Sequence, residues 1–168
     1  MECDIEWLSK LYSNEKAMYY IPYMLNYNAE SIKKELLELI EEEKLEDRRH
    51  YFCCIQLINT QECIGEIGFT IVDENNEKVA DIGYFTFPEY WGNGYVTEAM
   101  NAIINFAFNK CNISKIIATC YRENAGSEKV MQKSKMKMIE SSIHKSIHNG
   151  IEKDRVRYEI TRQSYKNK

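Results

Sequence analysis

The sequence has few of the residues and segments that divide a chain or direct it out of the cytoplasm. Its 168 residues include two prolines and seven glycines, and no stretch has the composition of a linker. No apolar run approaches the ~20 residues that a membrane-spanning helix needs. The residues from Met1 to Glu6 contain neither a basic nor an apolar segment, so we expect no signal peptide. These absences favour one cytoplasmic domain that spans residues 1–168.

An excess of positive charge is also lacking. The chain has 22 Lys and Arg against 26 Asp and Glu, which gives a formal net charge of −4. A mildly acidic chain is a poor non-specific ligand for nucleic acid and for an anionic membrane surface. We therefore expect neither of them as a partner.

The six cysteines lack the spacing of a disulfide framework or of a metal site. They include no C-x-x-C pair, and no His lies at ligand spacing from any pair. Cys53 and Cys54 are adjacent within an apolar, strand-like segment, which places their side chains on opposite faces. We therefore expect free thiols and no bound metal.

Hydrophobic periodicity predicts the element order α-α-β-β-β-α-β-α-β-β. The predicted elements are helices 4–19 and 29–46, strands 51–58, 63–72 and 79–87, helix 96–108, strand 114–120, helix 124–133, and strands 136–147 and 155–161. Short polar turns between the first three strands predict an antiparallel meander, and Asn149-Gly150 is typical of a hairpin turn. The predicted fold class is α+β, with helices flanking a mixed, mostly antiparallel twisted sheet.

A glycine-bearing loop leads into the strongest helix of the chain. It reads Tyr90-Trp91-Gly92-Asn93-Gly94-Tyr95, and Thr97 follows in the first helical turn. Backbone N–H groups at a helix N-terminus bind phosphate without lysine, because the helix dipole adds partial positive charge. An ordinary turn with a helix cap fits the two glycines equally well. No Gly-Lys-Ser/Thr follows, and the preceding strands are predicted to be antiparallel, so neither a P-loop nor a dinucleotide fingerprint fits.

Two segments of the chain carry a recognisable pattern. The first contains Ile82-Gly83-Tyr84-Phe85 and continues through Trp91-Gly92-Asn93-Gly94-Tyr95-Val96-Thr97-Glu98-Ala99. The second is Asn124-Ala125-Gly126-Ser127, with Val130, Met131 and Lys133. This pattern resembles the acetyl-CoA-binding region of the GNAT acetyltransferase superfamily, in the branch of the ribosomal-protein N-terminal acetyltransferases. Trp91 and Val96 depart from the family motif Gln/Arg-x-x-Gly-x-Gly/Ala, and the similarity covers roughly residues 7–162 in order and spacing.

The resemblance implies a GNAT-like acyl-CoA N-acyltransferase fold with acetyl-CoA as cosubstrate. The backbone of Phe85 and Phe87 would pair with the pantetheine arm where two strands splay apart. Asn124 would hydrogen-bond the cofactor, and Ser127 would donate to the departing thiolate. The remaining implied cofactor-binding residues are Trp91, Gly92, Asn93, Gly94, Tyr95, Val96 and Thr97. The implied reaction is direct acetyl transfer to a primary amine, either a protein N-terminus or a small cationic molecule such as a polyamine or an aminoglycoside.

Three departures from the family pattern leave an alternative open. Met131 occupies the place of a tyrosine general acid, and Lys135-Met136 replaces the usual Gly-Phe. The usual first strand is apparently truncated, because only Met1 to Glu6 precede the first helical pattern. A bare sheet edge needs cover, and a homodimer is one way to provide it. A non-catalytic acyl-CoA-binding or regulatory module therefore stays beside the enzyme hypothesis.

Two acids are candidates for the general base that the reaction needs. Asp81 opens the strand that leads into the glycine loop, and Glu66 lies in the neighbouring strand. The simpler explanation of either of them is an ordinary charge at a strand end or edge. Weaker candidates are Tyr84, His144 and His148. Tyr84 is either a hydrogen-bond donor or a core aromatic. A lone histidine near the last hairpin, such as His144 or His148, is usually a surface residue. The aromatic segment Tyr19–Tyr23 either lines the acceptor groove or packs against the core.

Overall fold

The computed structural model describes residues 2–139, 144–148 and 150–166, and it confirms an α+β fold with helices on both faces of a sheet. The α-helices are α1 (Glu2–Tyr12), α2 (Ala29–Glu42), α3 (Tyr95–Lys110), α4 (Ala125–Lys133) and α5 (Arg162–Lys166). The strands are β1 (His50–Gln56), β2 (Cys63–Glu74), β3 (Glu77–Thr86), β4 (Lys115–Tyr121), β5 (Lys137–Met138), β6 (His144–His148) and β7 (Ile151–Thr161). Short 3₁₀ helices cover Pro22–Asn26 and Pro88–Tyr90.

The sheet has the strand order β1-β2-β3-β4-β7-β5, and β6 also pairs with β7. The predicted antiparallel meander of β1, β2 and β3 is confirmed. The central pair, β3 and β4, is parallel, and its ladder consists of three pairs that end at Asp81 and Ile117. Both strands continue beyond this point without pairing to each other, so the sheet opens between them. We call this gap the central opening.

Apolar side chains form a separate cluster on each face of the sheet. The larger cluster lies beneath α3 and α4 and includes the fully buried Phe69, Met100 and Met131. The smaller one lies beneath α1 and α2, where Leu11 and Ile32 are buried. The helices therefore anchor to both faces of the sheet, and the central opening lies between the two layers. None of the described helices is long and apolar enough to cross a membrane.

The predicted first helix, 4–19, is too long, because α1 ends at Tyr12. The Oδ1 atom of Asn14 accepts a hydrogen bond from the N–H of Ala17 at 3.0 Å, and such local side-chain bonds compete with helix formation. Turns follow as far as Tyr20, and Met18 is fully buried within them. Periodicity alone does not distinguish a buried turn from one more helical turn.

The C-terminal elements also differ in part from the prediction. The predicted strand 136–147 contains the short β5 and the separate β6, and residues 140–143 between them lie outside the described residues. The expected hairpin turn includes Asn149, which lies outside them as well, although Gly150 has the expected positive φ of 76°. The helix α5 was not predicted.

Lys135 shows how the turn after α4 forms without the usual glycine. It adopts a left-handed backbone with φ 63°, and its N–H donates to the carbonyl of Gln132 at 2.9 Å. The N–H of Met136 then donates to the carbonyl of Met131 at 3.1 Å. This bonding is typical of the left-handed residue that ends many helices, a position where glycine is favoured because it has no Cβ.

We expect Lys135→Gly to raise the free energy of unfolding by about 0.5–1 kcal/mol. Glycine removes the cost of the left-handed conformation and adds some unfolded-state entropy, which offsets part of the gain. Urea denaturation measures the difference. The control is Lys133→Gly, at the last residue of α4, where the same exchange should instead cost up to about 1 kcal/mol. Equal losses in both variants would contradict this explanation of the turn.

Candidate active site

The central opening exposes backbone groups of β3, but they belong to different residues from those that the sequence predicts. The N–H of Phe87 donates to the carbonyl of Ile64 in β2 at 3.0 Å, and its own carbonyl accepts from the N–H of Tyr90 at 3.1 Å. Backbone groups in an antiparallel ladder alternate in direction, so those of Phe85 also point towards β2. The groups that face the opening are those of the two even-numbered residues, Tyr84 and Thr86.

The loop between β3 and α3 presents free backbone donors at a helix end. Gly92 and Gly94 have φ values of 81° and 90°, and Gly94 begins the helix without any side-chain cap. The first-turn N–H groups, at residues 95–97, therefore have no acceptor within the helix. A Cβ placed on either glycine would meet no atom within 4 Å, so no other part of the described chain crowds the loop at these two positions. This geometry suits an anionic ligand such as a phosphate.

Two side chains hold the loop in this conformation. The amide nitrogen of Asn93 donates to the carbonyl oxygens of Tyr90 and Trp91, at 3.2 and 3.3 Å. The indole N–H of Trp91 donates to the carbonyl oxygen of Thr86 at 3.1 Å. Trp91 and Asn93 thus shape the loop through their side chains and tie it to the end of β3. The side chains of Val96 and Thr97 extend the same surface from the first turn of α3, and both are half-buried.

Ser127 and Tyr84 join α4 to β3 across the opening. Their hydroxyl oxygens are 2.8 Å apart, and either can be the donor. The single proton of the Tyr84 hydroxyl is donated either to the Ser127 hydroxyl or to the Ser127 carbonyl oxygen, which is 3.0 Å away. Burial raises the pKa of Tyr84, and the bond with Ser127 opposes this only in part. The Oδ1 atom of Asn124 accepts from the N–H of Ser127 at 3.2 Å, so Asn124 is the N-cap of α4. Protonated hydroxyl donors thus stand beside the opening.

Cys120 lies beside Ser127, and its environment does not favour a nucleophilic thiolate. The side chain is buried, and burial raises its pKa to about 11, against the lowering effect of the hydrogen bond with Ser127. A thiol with this pKa is almost fully protonated near neutral pH, whereas the thiolate is the nucleophile. All six cysteines are free, as the sequence predicts.

Glu66 is the acid that the structure sets apart. It faces α1 from β2, where it is paired with Phe85, and it accepts a hydrogen bond from the hydroxyl of Tyr12 at 2.8 Å. Burial raises the pKa of Glu66 to about 7, the Tyr12 hydrogen bond lowers it, and the charge of Glu35 adds a further increase. A carboxyl with this pKa gains and loses a proton near neutral pH, as a general base must.

The surroundings of Glu66 come from segments far apart in sequence. Tyr12 is buried, 54 positions from Glu66, and its ring makes edge contacts with Tyr27 and Phe85. Glu66 also lines a cavity of about 250 Å³ between α1, α2 and the first two strands, together with Trp7 and other residues. Tyr12 was not predicted as a site residue, because nothing in the local sequence distinguishes it from the other apolar positions of α1.

Asp81 differs from Glu66 in place and in charge environment. It occupies the last pair of the β3–β4 ladder, before the opening, and it is exposed. Loss of part of its hydration raises the pKa of Asp81, and the positive charges of Arg157 and Arg155 lower it. The structure therefore separates the two predicted acids, and Glu66 lies at the level of the opening.

The other candidates are placed as follows. His148 is almost completely buried against Tyr19, Tyr20 and Tyr121, so its prediction as a surface residue is wrong. The side chain of His144 lies outside the described part of the structure. Met131 is fully buried in the core, which suits an apolar residue. Within the described ranges, no group of three or more His, Cys, Asp or Glu side chains could hold a metal ion.

Comparisons with known proteins agree with this geometry. The family model of the acetyltransferase (GNAT) domain matches residues 2–137. The uncharacterized N-acetyltransferase YoaA of Bacillus subtilis is 29% identical over 131 residues, or 77% of this chain and 72% of YoaA. The uncharacterized N-acetyltransferase p20 of Bacillus licheniformis is 32% identical over 98 residues, or 58% of this chain, and the matched region spans only 54% of p20.

Solved structures share the arrangement over almost the whole chain. A GNAT-family acetyltransferase from Bacillus anthracis superposes with a TM-score of 0.76 at 26% identity, covering 97% of this chain and 92% of that one. Spermidine N-acetyltransferase from Vibrio cholerae, solved with CoA and spermine, gives a TM-score of 0.83 at 17% identity, covering 99% and 95%. At that low identity the second likeness shows the fold alone.

Proposed function

The chain belongs to the GNAT acetyltransferase family, and we propose on this basis that it transfers an acetyl group from acetyl-CoA directly to a primary amine. The central opening carries the proposal, because it lies next to a helix N-terminus with unpaired N–H groups. That combination offers a place for an extended arm and a place for its phosphates. The buried, protonated Cys120 favours direct transfer over an acyl-enzyme.

The residues present fit a CoA cosubstrate, which supplies the activated thioester. The N–H groups from Gly92 to Thr97 would hold the pyrophosphate, while Trp91 and Asn93 keep the loop in shape. We propose that the pantetheine arm pairs with the backbone of Tyr84 and the N–H of Thr86, whose carbonyl already accepts from Trp91, rather than with the backbone of Phe85 and Phe87. The amide oxygen of Asn124 caps α4, and its amide nitrogen is the group that can donate a hydrogen bond to the arm.

We propose Glu66 as the general base. An amine attacks only when it is neutral, so a base must remove a proton from the ammonium form or from the attacking nitrogen. The pKa of about 7 suits Glu66 to this step, and Tyr12 positions its carboxylate through a hydrogen bond. Asp81, in the last pair before the opening, is the alternative base, and it is the weaker of the two because the charges of Arg157 and Arg155 offset part of the rise in its pKa.

Ser127 would stabilise the departing thiolate. Its hydroxyl is bonded to that of Tyr84, which is itself a protonated donor. A donor pair of this kind can supply one hydrogen bond, or a proton, to the sulfur as the thioester breaks. Tyr84 therefore compensates for Met131, which has no proton to give.

The acceptor is a primary amine, and the family leaves both a protein N-terminus and a small molecule open. Free thiols throughout the chain are consistent with the cytoplasm, where we place the reaction. A homodimer would cover β1, which has β2 as its single partner in the described part of the sheet. A non-catalytic acyl-CoA-binding module is the second candidate function, motivated by Met131.

One experiment separates these possibilities. Purified protein is mixed with acetyl-CoA and a panel of peptides, amino acids and polyamines, and thiol release is followed while acetyl-CoA binding is measured by thermal shift. Release with any amine supports the enzyme. A shift in melting temperature without release from any acceptor would leave only the binding module. No shift at all would mean that the glycine loop is merely a structural cap.

A further inference from the structure

Three cations follow one another along one face of β7. Lys153, Arg155 and Arg157 are spaced by two residues, so their side chains share a face. Two of them are neutralised: Lys153 pairs with Glu123, and Arg157 donates to Glu74 at 2.8 Å. The middle cation forms no ion pair with any described residue.

Arg155 is instead held by an aromatic ring and left with a free donor. Its guanidinium carbon lies 5.3 Å from the centre of the Tyr121 ring. The Nε atom of Arg155 is buried and has no hydrogen-bond partner among the described residues. A buried donor without an acceptor is destabilising, so an anionic oxygen that reached it would be bound favourably. The charge of Arg155 lowers the pKa of Asp81, but the two side chains form no ion pair in the described structure.

The strand register places Arg155 opposite the proposed base. Arg155 is paired with Tyr121 in the β4–β7 ladder, and Glu66 is paired with Phe85 in the β2–β3 ladder. Tyr121 and Phe85 each lie four residues beyond the last parallel pair of β3 and β4. Glu66 and Arg155 therefore stand at one level and on one face, each about one strand spacing, ~4.8 Å, outside the central opening.

Open space lies on this same face of β3. Gly83 shares the face with Phe85, and a Cβ placed on it would meet no atom within 4 Å. The cofactor loop and α4 belong to the opposite layer, so the face of Gly83 is the one left for the acceptor. An acceptor that enters here meets a carboxylate on one side and a guanidinium on the other.

We propose that the acceptor bears a carboxylate within a few bonds of its primary amine, and that Arg155 binds this carboxylate. The proposal rests on the acetyltransferase function proposed above and deepens it. Glu66 takes the proton from the amine, the nitrogen forms the new bond to the acetyl carbon, and the thiolate leaves with the electron pair. Two sources share this chemistry: a free amino acid, and a peptide N-terminus that is followed closely by an acidic side chain. A polyamine would place another cation beside Arg155 and is disfavoured.

The test uses acceptors that differ in the carboxylate alone. Thiol release from acetyl-CoA is measured with glycine, β-alanine and 4-aminobutyrate against methylamine, ethylamine and propylamine, and with spermidine. A second arm compares amidated peptides that carry Asp or Asn at position 2. We expect kcat/KM to be at least 10-fold higher for the carboxylate member of one matched pair, and the arm in which this occurs identifies the source.

Variants at Arg155 then connect the preference to this residue. In Arg155→Gln the ratio within the preferred pair should fall to nearly 1, because kcat/KM falls mainly for the member that carries the carboxylate. Arg155→Lys, which keeps the charge without the planar donor pair, should retain an intermediate ratio. The control, Lys110→Gln, changes the net charge equally at an exposed position in the last turn of α3 and should keep the full ratio. Melting temperatures with and without acetyl-CoA verify that each variant is folded.

Two results would overturn the proposal while the acetyltransferase function stands. One is release with amines or spermidine at rates equal to or above those of the carboxylate acceptors. The other is a carboxylate preference that Arg155→Gln leaves intact. The absence of release from every acceptor, in contrast, would contradict the acetyltransferase function itself.

Discussion

Glu66→Gln should lower kcat/KM by about 10²–10⁴ while acetyl-CoA binding is retained. Loss of a general base typically has an effect of this size. Glutamine keeps an oxygen that can accept the hydrogen bond from Tyr12, so the fold around the site is conserved. Thiol release at saturating acetyl-CoA gives the rate, and the thermal shift with acetyl-CoA checks the binding.

The pH dependence makes this result specific to Glu66. In the wild type, kcat/KM should rise with pH and level off above about 7, because the base acts when its carboxyl is ionised. Glu66→Gln should remove this step. Asp81→Asn is the competing variant, and a profile in which it alone removes the step would transfer the base role to Asp81.

The stability of the wild type should fall with rising pH, whereas its kcat/KM should rise. The pKa of Glu66 is raised from an ordinary value of 4.5 to about 7, so the folded chain binds more protons than the unfolded chain between these pH values. The free energy of unfolding therefore falls as pH rises through this window, by about 1.4 kcal/mol for each unit of the shift. The difference in free energy of unfolding, Glu66→Gln minus wild type, should therefore be more favourable to the variant at pH 8 than at pH 5. Equal effects at the two pH values would mean that the carboxyl is not desolvated.

Gly94→Val should abolish acetyl-CoA binding. Gly94 has φ 90°, a conformation that costs an L-residue about 1–2 kcal/mol, and its Cβ would project into the open space before the first turn of α3. Acetyl-CoA at 100 times its dissociation constant stabilises a binding protein by about 2.7 kcal/mol, or roughly 5–10 °C in a chain of this length. This shift should disappear in the variant.

Gly150→Val is the matched control. Gly150 has φ 76° and equally open surroundings, but it lies next to β7 rather than at the helix N-terminus. Both variants should lose a similar amount of intrinsic stability, and only Gly94→Val should lose the cofactor-induced shift. Retention of the shift in Gly94→Val would contradict the role of the loop.

Local sequence signals were sufficient for the glycine loop and the cap of α4, the elements that we propose hold the cofactor. The loop from Tyr90 to Tyr95 carries its glycines where a positive φ is needed, and Asn124 caps α4 as one of two predicted caps. These features are local because each depends on the conformation of a few consecutive residues. The same kind of reasoning placed the end of α1 wrongly, since Asn14 and the buried Met18 form a turn that hydrophobic spacing alone cannot distinguish from a helix.

The register of β3 was the first feature that required the tertiary structure. Sequence similarity pointed to the backbone of Phe85 and Phe87 as the pair that faces the opening. The hydrogen bond from Phe87 to Ile64 shows instead that the backbone groups of these residues face β2. A one-residue step reverses the direction of every backbone group in a strand. No composition or spacing within β3 records which neighbour its groups face.

The sequence by itself determined the fold class and the family, and it located the glycine loop before α3, because each depends on periodicity or on residues close together in the chain. Only the tertiary structure gave Glu66 and Asp81 different environments and brought Tyr12 to Glu66. It also left Arg155 without an ion pair among the described residues, while Lys153 and Arg157 on the same strand each acquired one. A pKa and an unpaired charge depend on burial and on distances across strands. These quantities exist only once the chain has folded.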